Sequence, residues 1–385
     1  MSGASAKIAG SATRAGTAAC AGTAGAACAP GHYSDFLNQH LQLSSLGLGT
    51  FPGAATDAVD AAYADIIARG LQAGINVIDT AAHYRYGRSM RAVGEGLRRA
   101  FSAGAGREQV YVVGKGGFLR FDDGPPDDLD AWFEACIARK GLGTRDDLSG
   151  MHCLAPGYIA AQIDELCEAT GLETLDAFLI DQPEVHIPRL GKEEMNRRLQ
   201  TVFAVCEQAV RQHKIRSYGI ATFDAFRVET DHPLFQSLAS LLGLAERAAQ
   251  LVQRDGQARH HFRIVQLPFN QAMNEGFTRF SQATGLGNVA STLQAAHQLK
   301  VFVMGSHALA KGALAVQSAD ALRGAMPDAP NDAQRALQFN RSTPGLGVSL
   351  AGISSPGHLD DLLAVAARPP LARETYLALY RRASD

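Results

Sequence analysis

The sequence predicts an α/β protein in which eight parallel strands close into a (β/α)8 TIM barrel surrounded by helices. Eight short β-rich runs alternate with longer helical patterns over about 340 residues. The first run is followed by GLGTFPGAA, which lacks the G-x-G-x-x-G turn of an open nucleotide-binding sheet. Polar residues also gather at the carboxyl ends of the runs, where barrels carry their reactive groups. A doubly wound open sheet is the alternative architecture.

Each candidate strand is a short run of β-branched, aromatic and small apolar residues. In chain order the runs are SLGLGTF (45–51), NVIDTA (76–81), QVYVVGK (109–115), DAFLID (176–181), RSYGIAT (216–222), FRIVQL (262–267), VFVMGS (301–306) and GVSLAG (347–352). At or just past their ends lie Asp79, Lys115, Asp181, Ala221, Thr222, Gln266, Ser306 and Ser354.

The segments between the strands have apolar residues at helical spacing. The clearest are 57–74, 88–101, 155–171 and 192–213, and Gly74 and Gly171 stand where two of these helices should stop. We predict one barrel domain over residues 41–385. Two segments exceed a minimal barrel, one at about 118–150 and one at about 224–261, and such additions commonly serve as lids or substrate walls. Plain surface elaboration is the alternative.

Residues 1–40 differ in composition from the rest of the chain. The first 32 are almost wholly Ala, Gly, Ser and Thr, with no acidic residue before Asp35. Because so few bulky apolar groups cannot offset the loss of chain entropy, we predict a disordered tail. An organelle transit peptide is the sharper alternative, since such segments contain Arg and Ser and are poor in acids.

The overall composition narrows the functional classes. A net charge of −2 argues against nucleic acid or an anionic membrane as the main partner. The six cysteines form no CxxC pair, which is typical of reduced thiols and favours a cytoplasmic location. The acidic run at 122–130 lacks the order of a calcium loop, and we predict no metal site.

Asp79, Tyr84 and Lys115 suit general acid catalysis. A tyrosine hydroxyl titrates near 10 unaided, so a neighbouring cation has to lower its pKa before it can protonate a carbonyl oxygen efficiently near neutral pH. Lys115 supplies that cation, and Asp79 holds the lysine charged and in place. This constellation predicts proton donation during hydride transfer to a carbonyl.

At this point the sequence resembles the aldo-keto reductases over most of residues 44–366. The matching elements are GLGT, D-T-A-x-x-Y (79–84), G-R-S (87–89), V-G-E-G-L-R (93–98), Lys115, L-I-D-Q-P-E (179–184), I-R-S-Y-G-I-A-T (215–222), V-Q-L-P-F-N (265–270) and G-I-S-S-P-G-H-L (352–359). The resemblance implies a barrel that binds NADPH in extended form and transfers hydride to an aldehyde or ketone.

The resemblance also implies catalytic roles for Asp79, Tyr84 and Lys115, with one departure. The family's histidine in L-L-H-x-P-E is replaced by Asp181. An ionised carboxylate there opposes loss of the tyrosine proton, whereas a buried, protonated one donates a hydrogen bond to substrate. Family members that reduce a conjugated C=C bond carry a glutamate at this place. His186, five residues on, is an alternative imidazole, although a surface loop histidine is the usual case.

The remaining site residues are also implied by the resemblance. The cofactor set is Gly49, Thr50, Asp79, Ala221, Thr222, Gln266, Ser306, Ser354, Ser355 and His358, and the substrate set is Phe51, His83 and Trp132. Ser306 replaces an aromatic residue, and the SSPGH segment lacks the arginine that holds the adenosine 2′-phosphate. NADPH is therefore the expected cofactor, with NADH as the alternative.

Two functions follow. The first is an NAD(P)-dependent oxidoreductase that acts on a carbonyl or conjugated enone of a small molecule. The second is a barrel that has lost redox function and serves as a binding subunit or a non-redox enzyme, because three family features are altered together. The sequence identifies neither the substrate nor the oligomeric state.

Overall fold

The computed structural model describes residues 6–36, 39–253, 258–285 and 287–381. Eight parallel strands close into a barrel, which confirms the predicted fold. All strands of the described residues, including those outside the barrel, are in chain order β1 (Tyr33–Phe36), β2 (Leu41–Ser44), β3 (Leu46–Gly49), β4 (Val77–Asp79), β5 (Tyr111–Gly116), β6 (Leu148–Ser149), β7 (His152–Cys153), β8 (Ala177–Asp181), β9 (Tyr218–Ala221), β10 (Phe262–Pro268), β11 (Phe280–Ala283), β12 (Val289–Ser291), β13 (Phe302–Ser306) and β14 (Val348–Gly352). The barrel runs β3-β4-β5-β8-β9-β10-β13-β14, and the other strands form three two-stranded sheets.

Helices follow the barrel strands and cover the outside of the barrel. They are α1 (Arg14–Gly22), α2 (Asp57–Gln72), α3 (Arg88–Ser102), α4 (Leu129–Phe133), α5 (Pro156–Thr170), α6 (Ile187–Leu190), α7 (Lys192–Arg211), α8 (Leu238–Gln253), α9 (Glu275–Thr278), α10 (Thr292–Gln298), α11 (Ala313–Val316), α12 (Asp320–Ala325), α13 (Asp332–Arg341), α14 (Pro356–Ala366) and α15 (Arg373–Arg381). Helix α5 stops at Gly171, as predicted, and the glycine adopts a left-handed conformation there. None of the described helices is long and apolar enough to cross a membrane.

The strand register brings the predicted site residues to one end of the barrel. Gly49 is paired with Asp79, and Lys115 with Leu179 on the next strand. Asp181 is paired with Ala221, which in turn is paired with Gln266. Because carboxyl ends of parallel strands lie at the same edge, these side chains meet at one mouth.

The apolar core has two main layers. The larger lies between the strands and the helices and includes Leu48, Ile67, Ile180, Phe203 and Leu359. The smaller fills the barrel near the amino ends of its strands, where Val77, Tyr111, Ala177, Phe302 and Val348 pack together. A barrel filled in this way leaves its carboxyl end as the place for a site.

The prediction of a disordered tail over residues 1–40 is wrong for the described residues 6–36, 39 and 40. Helix α1 packs against the turn at Arg107–Gln109 before β5 and against strand β2, with Thr17 and Cys20 buried. The backbone NH of Ala12 donates to Asp176 Oδ1 at 2.6 Å. Residues 1–5 and 37–38 lie outside the described part.

The β1–β2 hairpin explains why this segment orders in spite of its composition. Phe36, Leu41 and Leu43 belong to the cluster that fills the amino end of the barrel, and the Phe36 ring lies 4.5 Å from that of Phe302. Small residues upstream allow close backbone approach, because a Cβ on Gly16 would lie 2.3 Å from the carbonyl oxygen of Glu108. The segment is thus held by shape and by backbone hydrogen bonds.

The segment at 118–150 has its own small core. Phe121, Phe133, Ile137 and Cys153 are buried together, with Trp132 packed against them. It ends in the β6–β7 sheet, and Cys153 NH donates to the Gly117 carbonyl at 2.8 Å. The segment therefore returns to the carboxyl end of β5. In the second segment, 224–261, helix α8 covers the barrel, while residues 254–257 lie outside the described part.

Candidate active site

Asp79 and Lys115 form a buried ion pair at the mouth of the barrel. Their side chains are 6% and 1% exposed, which leaves little water to weaken the attraction. The second carboxylate oxygen, Oδ1, accepts a hydrogen bond from Gln266 Nε2 at 2.9 Å. Burial opposes the lysine charge, but Asp79, Tyr84 and Asp181 together raise the pKa of Lys115 above its ordinary value. Lys115 is therefore a fixed cation.

Thr50 and Gly49 hold the neighbouring strand end against Asp79. Thr50 Oγ1 donates to the Asp79 carbonyl at 3.0 Å, and Ser89 Oγ donates to the Thr50 carbonyl at 2.6 Å. A Cβ on Gly49 would lie 3.1 Å from the Ala351 carbonyl oxygen, so the backbones of β3 and β14 approach closely here. These contacts fix the backbone around the ion pair.

Tyr84 lies directly above the ion pair. Lys115 Nζ is 4.8 Å from the centre of the tyrosine ring. Burial raises the pKa of Tyr84 above 10, while the charge of Lys115 and a hydrogen bond from it act in the opposite direction. The expected lowering by lysine is present, but burial outweighs it. The phenol therefore remains protonated across the physiological range and has a proton to donate, but the prediction of a net lowered pKa is wrong because burial outweighs Lys115.

Asp181 lies at the end of β8 with its carboxyl group buried. Burial raises the pKa of this group to about 7, against the lowering by Lys115, and Asp79 adds to the rise. Within the described residues, no group forms a hydrogen bond with the Asp181 carboxyl oxygens. A protonated carboxyl without a protein partner has a proton to donate, which matches the second of the two charge states considered for this residue.

His186 is not the surface histidine expected of a loop residue, because it is fully buried. Its Nε2 lies 2.8 Å from Nδ1 of His152, and His152 Nε2 lies 2.7 Å from the Asp181 carbonyl oxygen. Burial lowers the pKa of His152 to about 3 and that of His186 to about 4, so both rings are neutral.

These contacts fix the tautomers. The Asp181 carbonyl can only accept, so His152 donates from Nε2 and accepts at Nδ1 from His186. His186 supports Asp181 from behind, through His152, and does not replace it. His152 was missed from the sequence, where only its place after the 118–150 segment hinted at a role. Its position depends on Gly117, whose Cβ would lie 2.2 Å from His152 Nε2.

The predicted carboxamide-binding residues lie together near the ion pair. Thr222 Oγ1 is buried and has no hydrogen-bond partner among the described residues, and the Gln266 amide donates only to Asp79. An unpaired buried hydroxyl costs free energy unless a ligand or water satisfies it. Thr222 and Gln266 thus suit a primary carboxamide, which both donates and accepts. Ala221 adds backbone only, and Ser306 Oγ lies 3.2 Å from Nδ1 of His307.

The start of α14 carries the predicted phosphate contacts. Ser355 caps the helix, accepting from the His358 NH at 3.4 Å, and Ser354 precedes it. His358 is exposed. Asp360 is paired with Arg69 at 3.2 Å, and Asp361 accepts hydrogen bonds from Asn331 and Gln334. A helix amino terminus attracts a phosphate, but the described part of this turn holds no arginine.

Aromatic rings form one wall of the mouth. The exposed Phe51 ring meets Tyr84 edge-on at 5.0 Å. His83 lies 4.8 Å from Tyr84 and 4.9 Å from Phe118, and burial lowers its pKa to about 3. Phe51 and His83, two of the predicted substrate-binding residues, thus adjoin Tyr84. Trp132 instead packs on Phe121 at 4.7 Å within the inserted segment. Phe118, which contacts His83, was not predicted from the sequence.

No group of three or more metal-ligating side chains occurs in the described ranges. The four predicted catalytic residues are close enough for their charges to shift one another's pKa, as the effects of Lys115, Asp79 and Asp181 on Tyr84 show. The arrangement provides a proton donor beside a fixed cation, with the buried Asp181 carboxyl close to both. Such a site can donate a proton to an oxygen atom that becomes more basic during reaction.

Comparison with known proteins shows what the chain resembles. The family model described as Aldo/keto reductase family matches residues 45–233. A D-galacturonate reductase of Hypocrea jecorina is 43% identical over 79 residues, a segment covering 20% of this chain and 23% of that protein. An aldo/keto reductase from Klebsiella pneumoniae, crystallised with NADP and acetate, superposes with a TM-score of 0.58 at 18% identity, covering 91% of this chain and 95% of the other. The holo form of an aldo-keto reductase from Bacillus halodurans gives 0.58 at 16% identity, with the same coverage. At these identities the two structures show the fold alone, and the family match adds that residues 45–233 are those of an aldo/keto reductase family barrel.

Proposed function

We propose that the protein is an NAD(P)-dependent oxidoreductase that reduces a carbonyl or conjugated enone of a small molecule. The observation that carries the proposal is the protonated Tyr84 phenol held over the buried Asp79–Lys115 pair. When bound, NADPH or NADH supplies the hydride. The chain's own residues supply the proton and the charge that stabilises the product side of the reaction.

Tyr84 is the general acid in this proposal. As the substrate oxygen gains negative charge, the phenol donates its proton and becomes a phenolate. Lys115, 4.8 Å from the ring centre, stabilises that phenolate. Asp79 keeps the ammonium group in place, and its charge is already balanced by Lys115. Electrostatic stabilisation is strong here because the pair is nearly inaccessible to water.

Asp181 is the group that orients the substrate in this proposal. With its pKa raised to about 7 by burial, the carboxyl is largely protonated below that pH and donates a hydrogen bond to the substrate oxygen. Above that pH the site gains a negative charge next to the phenol, which opposes proton transfer. The activity is therefore assigned to the protonated form, and Asp181→His should shift the preference toward ordinary ketones.

The residues for the cofactor are those that fit its groups. Thr222 and Gln266 suit the carboxamide, since one carries an unpartnered hydroxyl and the other an amide at the mouth. Ser354, Ser355 and the Gly357 amide at the start of α14 suit a phosphate. Gly49, Thr50, Ser306 and His358 complete the proposed set.

The substrate class is proposed from the partial relative. Because the 79-residue match is to a D-galacturonate reductase, D-galacturonate is the first compound to test, followed by simple aldehydes and cyclic enones. The Phe51 and His83 rings next to Tyr84 provide an aromatic wall for the carbon skeleton of any of these. The aromatic wall supports a small organic substrate but does not identify the compound.

The test is cofactor binding followed by turnover of matched variants. Nicotinamide emission is titrated with wild-type protein for NADPH and NADH, and reduction of the substrate panel is then followed. Tyr84→Phe should lose about 10²- to 10⁴-fold in kcat, the usual contribution of a general acid. Tyr86→Phe removes a phenol two residues away, outside the ion-pair contact, and should stay close to wild type.

Two results would contradict the proposal. Turnover by Tyr84→Phe within a factor of about two of wild type would rule out the phenol as the acid. Absence of binding of either dinucleotide by a folded protein would instead favour the redox-inactive barrel, with Ser306 and the SSPGH segment as the altered features.

A further inference from the structure

The backbone directly after Tyr84 has an unusual conformation. Arg85 has φ 49° and ψ 41°, and Tyr86 has φ 56° and ψ 44°, both left-handed. Only glycine, and occasionally Asn or Asp, adopts this region readily, and neither arginine nor tyrosine belongs to that group. Two consecutive residues of this kind persist only when the surroundings hold them, and such turns are found where a side chain has to be aimed.

The Arg85 side chain provides the hold. Its guanidinium is 2% exposed and forms an ion pair with Asp60. Nε and Nη2 both donate to the Ala54 carbonyl, at 3.0 and 2.8 Å, and Nη2 reaches the Thr56 carbonyl at 3.3 Å. One side chain next to the proposed acid thus binds the loop between β3 and α2, residues 50–56.

A second contact strengthens the same connection. The Arg85 guanidinium lies 5.2 Å from the centre of the Tyr63 ring on α2. Tyr63 Oη donates to the Pro52 carbonyl at 2.7 Å. The loop is otherwise exposed at most of its residues, and it carries Phe51, which meets the Tyr84 ring at 5.0 Å. Arg85 therefore controls Tyr84 through the chain and Phe51 through the loop.

We propose that Arg85 is a positioning residue, which fixes the Tyr84 phenol and the Phe51 ring relative to each other across the mouth of the site. The inference rests on the proposed function and deepens it. An ordinary surface ion pair contributes little, but this guanidinium is buried and holds two carbonyl groups as well as Asp60. Loss of the clamp releases the turn and the loop together, and a small displacement of a reacting group is costly in rate.

The test separates the clamp from the backbone requirement. Asparagine tolerates the left-handed region, so Arg85→Asn keeps the turn accessible and removes the guanidinium. Arg88→Gln is the matched control, because Arg88 also pairs with Asp60 but lies on α3 beyond the turn. We expect Arg85→Asn to lower kcat by about 10- to 100-fold and Arg88→Gln to stay within about threefold of wild type.

Hydrogen exchange gives a readout that does not need turnover. In Arg85→Asn, amides in the peptides covering 50–56 and 83–87 should exchange faster, while Arg88→Gln leaves both close to wild type. Arg85→Lys should fall between, since a lysine cannot hold a carbonyl and Asp60 in one fork. If Arg85→Asn does not fold, Asp60→Asn replaces it, with the same direction expected in both readouts.

The inference is overturned if Arg85→Asn retains kcat within about threefold of Arg88→Gln, or if neither peptide exchanges faster. Failure of the proposed function looks different. In that case the wild type turns over no carbonyl compound, and the exchange experiment alone decides whether Arg85 fixes Tyr84 and the loop.

Discussion

We predict that the charge of Asp181 sets the pH range in which the site can act. Burial raises the pKa of this carboxyl to about 7, so it is neutral at lower pH and ionised at higher pH. If the neutral form is the active one, kcat/KM falls as pH rises through about 7, because the new negative charge opposes loss of the Tyr84 proton. Asp181→Asn donates a hydrogen bond at every pH, so its profile should lack that fall. The measurement is kcat/KM from pH 5 to 9.

Glu184 is the control for that profile, since burial also raises its pKa to about 7. Glu184→Gln should keep the fall in kcat/KM if Asp181 causes it, and a fall that survives Asp181→Asn but disappears in Glu184→Gln would assign it to Glu184. Stability gives a second check. Between about pH 4 and 7, Asp181 and Glu184 hold protons in the folded state that they have lost in the unfolded state. The free energy of unfolding therefore decreases as pH rises through that window.

The residues of the site differ in how far the sequence predicts them. Asp79, Tyr84 and Lys115 follow from a local motif and a strand end, and the structure places them in contact. His152 and Arg85 act through partners 29 and 25 residues away, and only the folded chain shows those partners. The net pKa of Tyr84 was equally hidden, because the balance between Lys115 and burial depends on surrounding packing.

At the scale of single elements, we predict that the first turn of α14 governs the choice between NADPH and NADH. The helix amino terminus at Ser355 favours any phosphate, whereas a 2′-phosphate is held best by an arginine, which the described part of this turn lacks. We predict that His358→Arg raises affinity for NADPH by about tenfold, the value of one charge-assisted hydrogen bond, and leaves NADH binding unchanged. Parallel fluorescence titrations of wild type and variant with NADPH and with NADH measure the two affinities.

The neutral variant His358→Asn is the comparison for that change. It should not gain affinity for NADPH, because it adds no charge. An equal gain for NADH in His358→Arg would mean that the new arginine binds the shared pyrophosphate, and the 2′-phosphate would then lie elsewhere.

The inserted segment at 118–150 shows that hydrophobic periodicity locates an element without revealing its long-range contacts. Its length and place after β5 are readable from the sequence. Its contribution to the site cannot be read from the sequence. The segment brings His152 behind Asp181 because β7 pairs with the chain at the end of β5, next to Gly117. That pairing depends on a glycine with φ 127° and on a contact with no local sequence signal.

For the whole molecule, the hydrophobic pattern predicts the barrel because each strand and helix contributes a periodic apolar face. All eight predicted strands are present in the barrel, within a few residues of their predicted ends. The amino-terminal segment lacks such a face, so composition pointed to disorder. Its order comes from backbone contacts such as Ala12 to Asp176 and from small residues that fit against the barrel.

The amino-terminal segment should therefore contribute measurably to stability. Removal of residues 1–32 exposes the surface under α1 and is expected to lower the free energy of unfolding in urea. A sharper test uses two glycines of α1. A Cβ on Gly16 would lie 2.3 Å from the Glu108 carbonyl oxygen, whereas nothing lies within 4 Å of one on Gly22. Gly16→Ala should cost about 1–3 kcal/mol, as overpacking does, while Gly22→Ala should be neutral or slightly stabilising. Equal stability of the two variants would show that α1 is not docked on the barrel in solution.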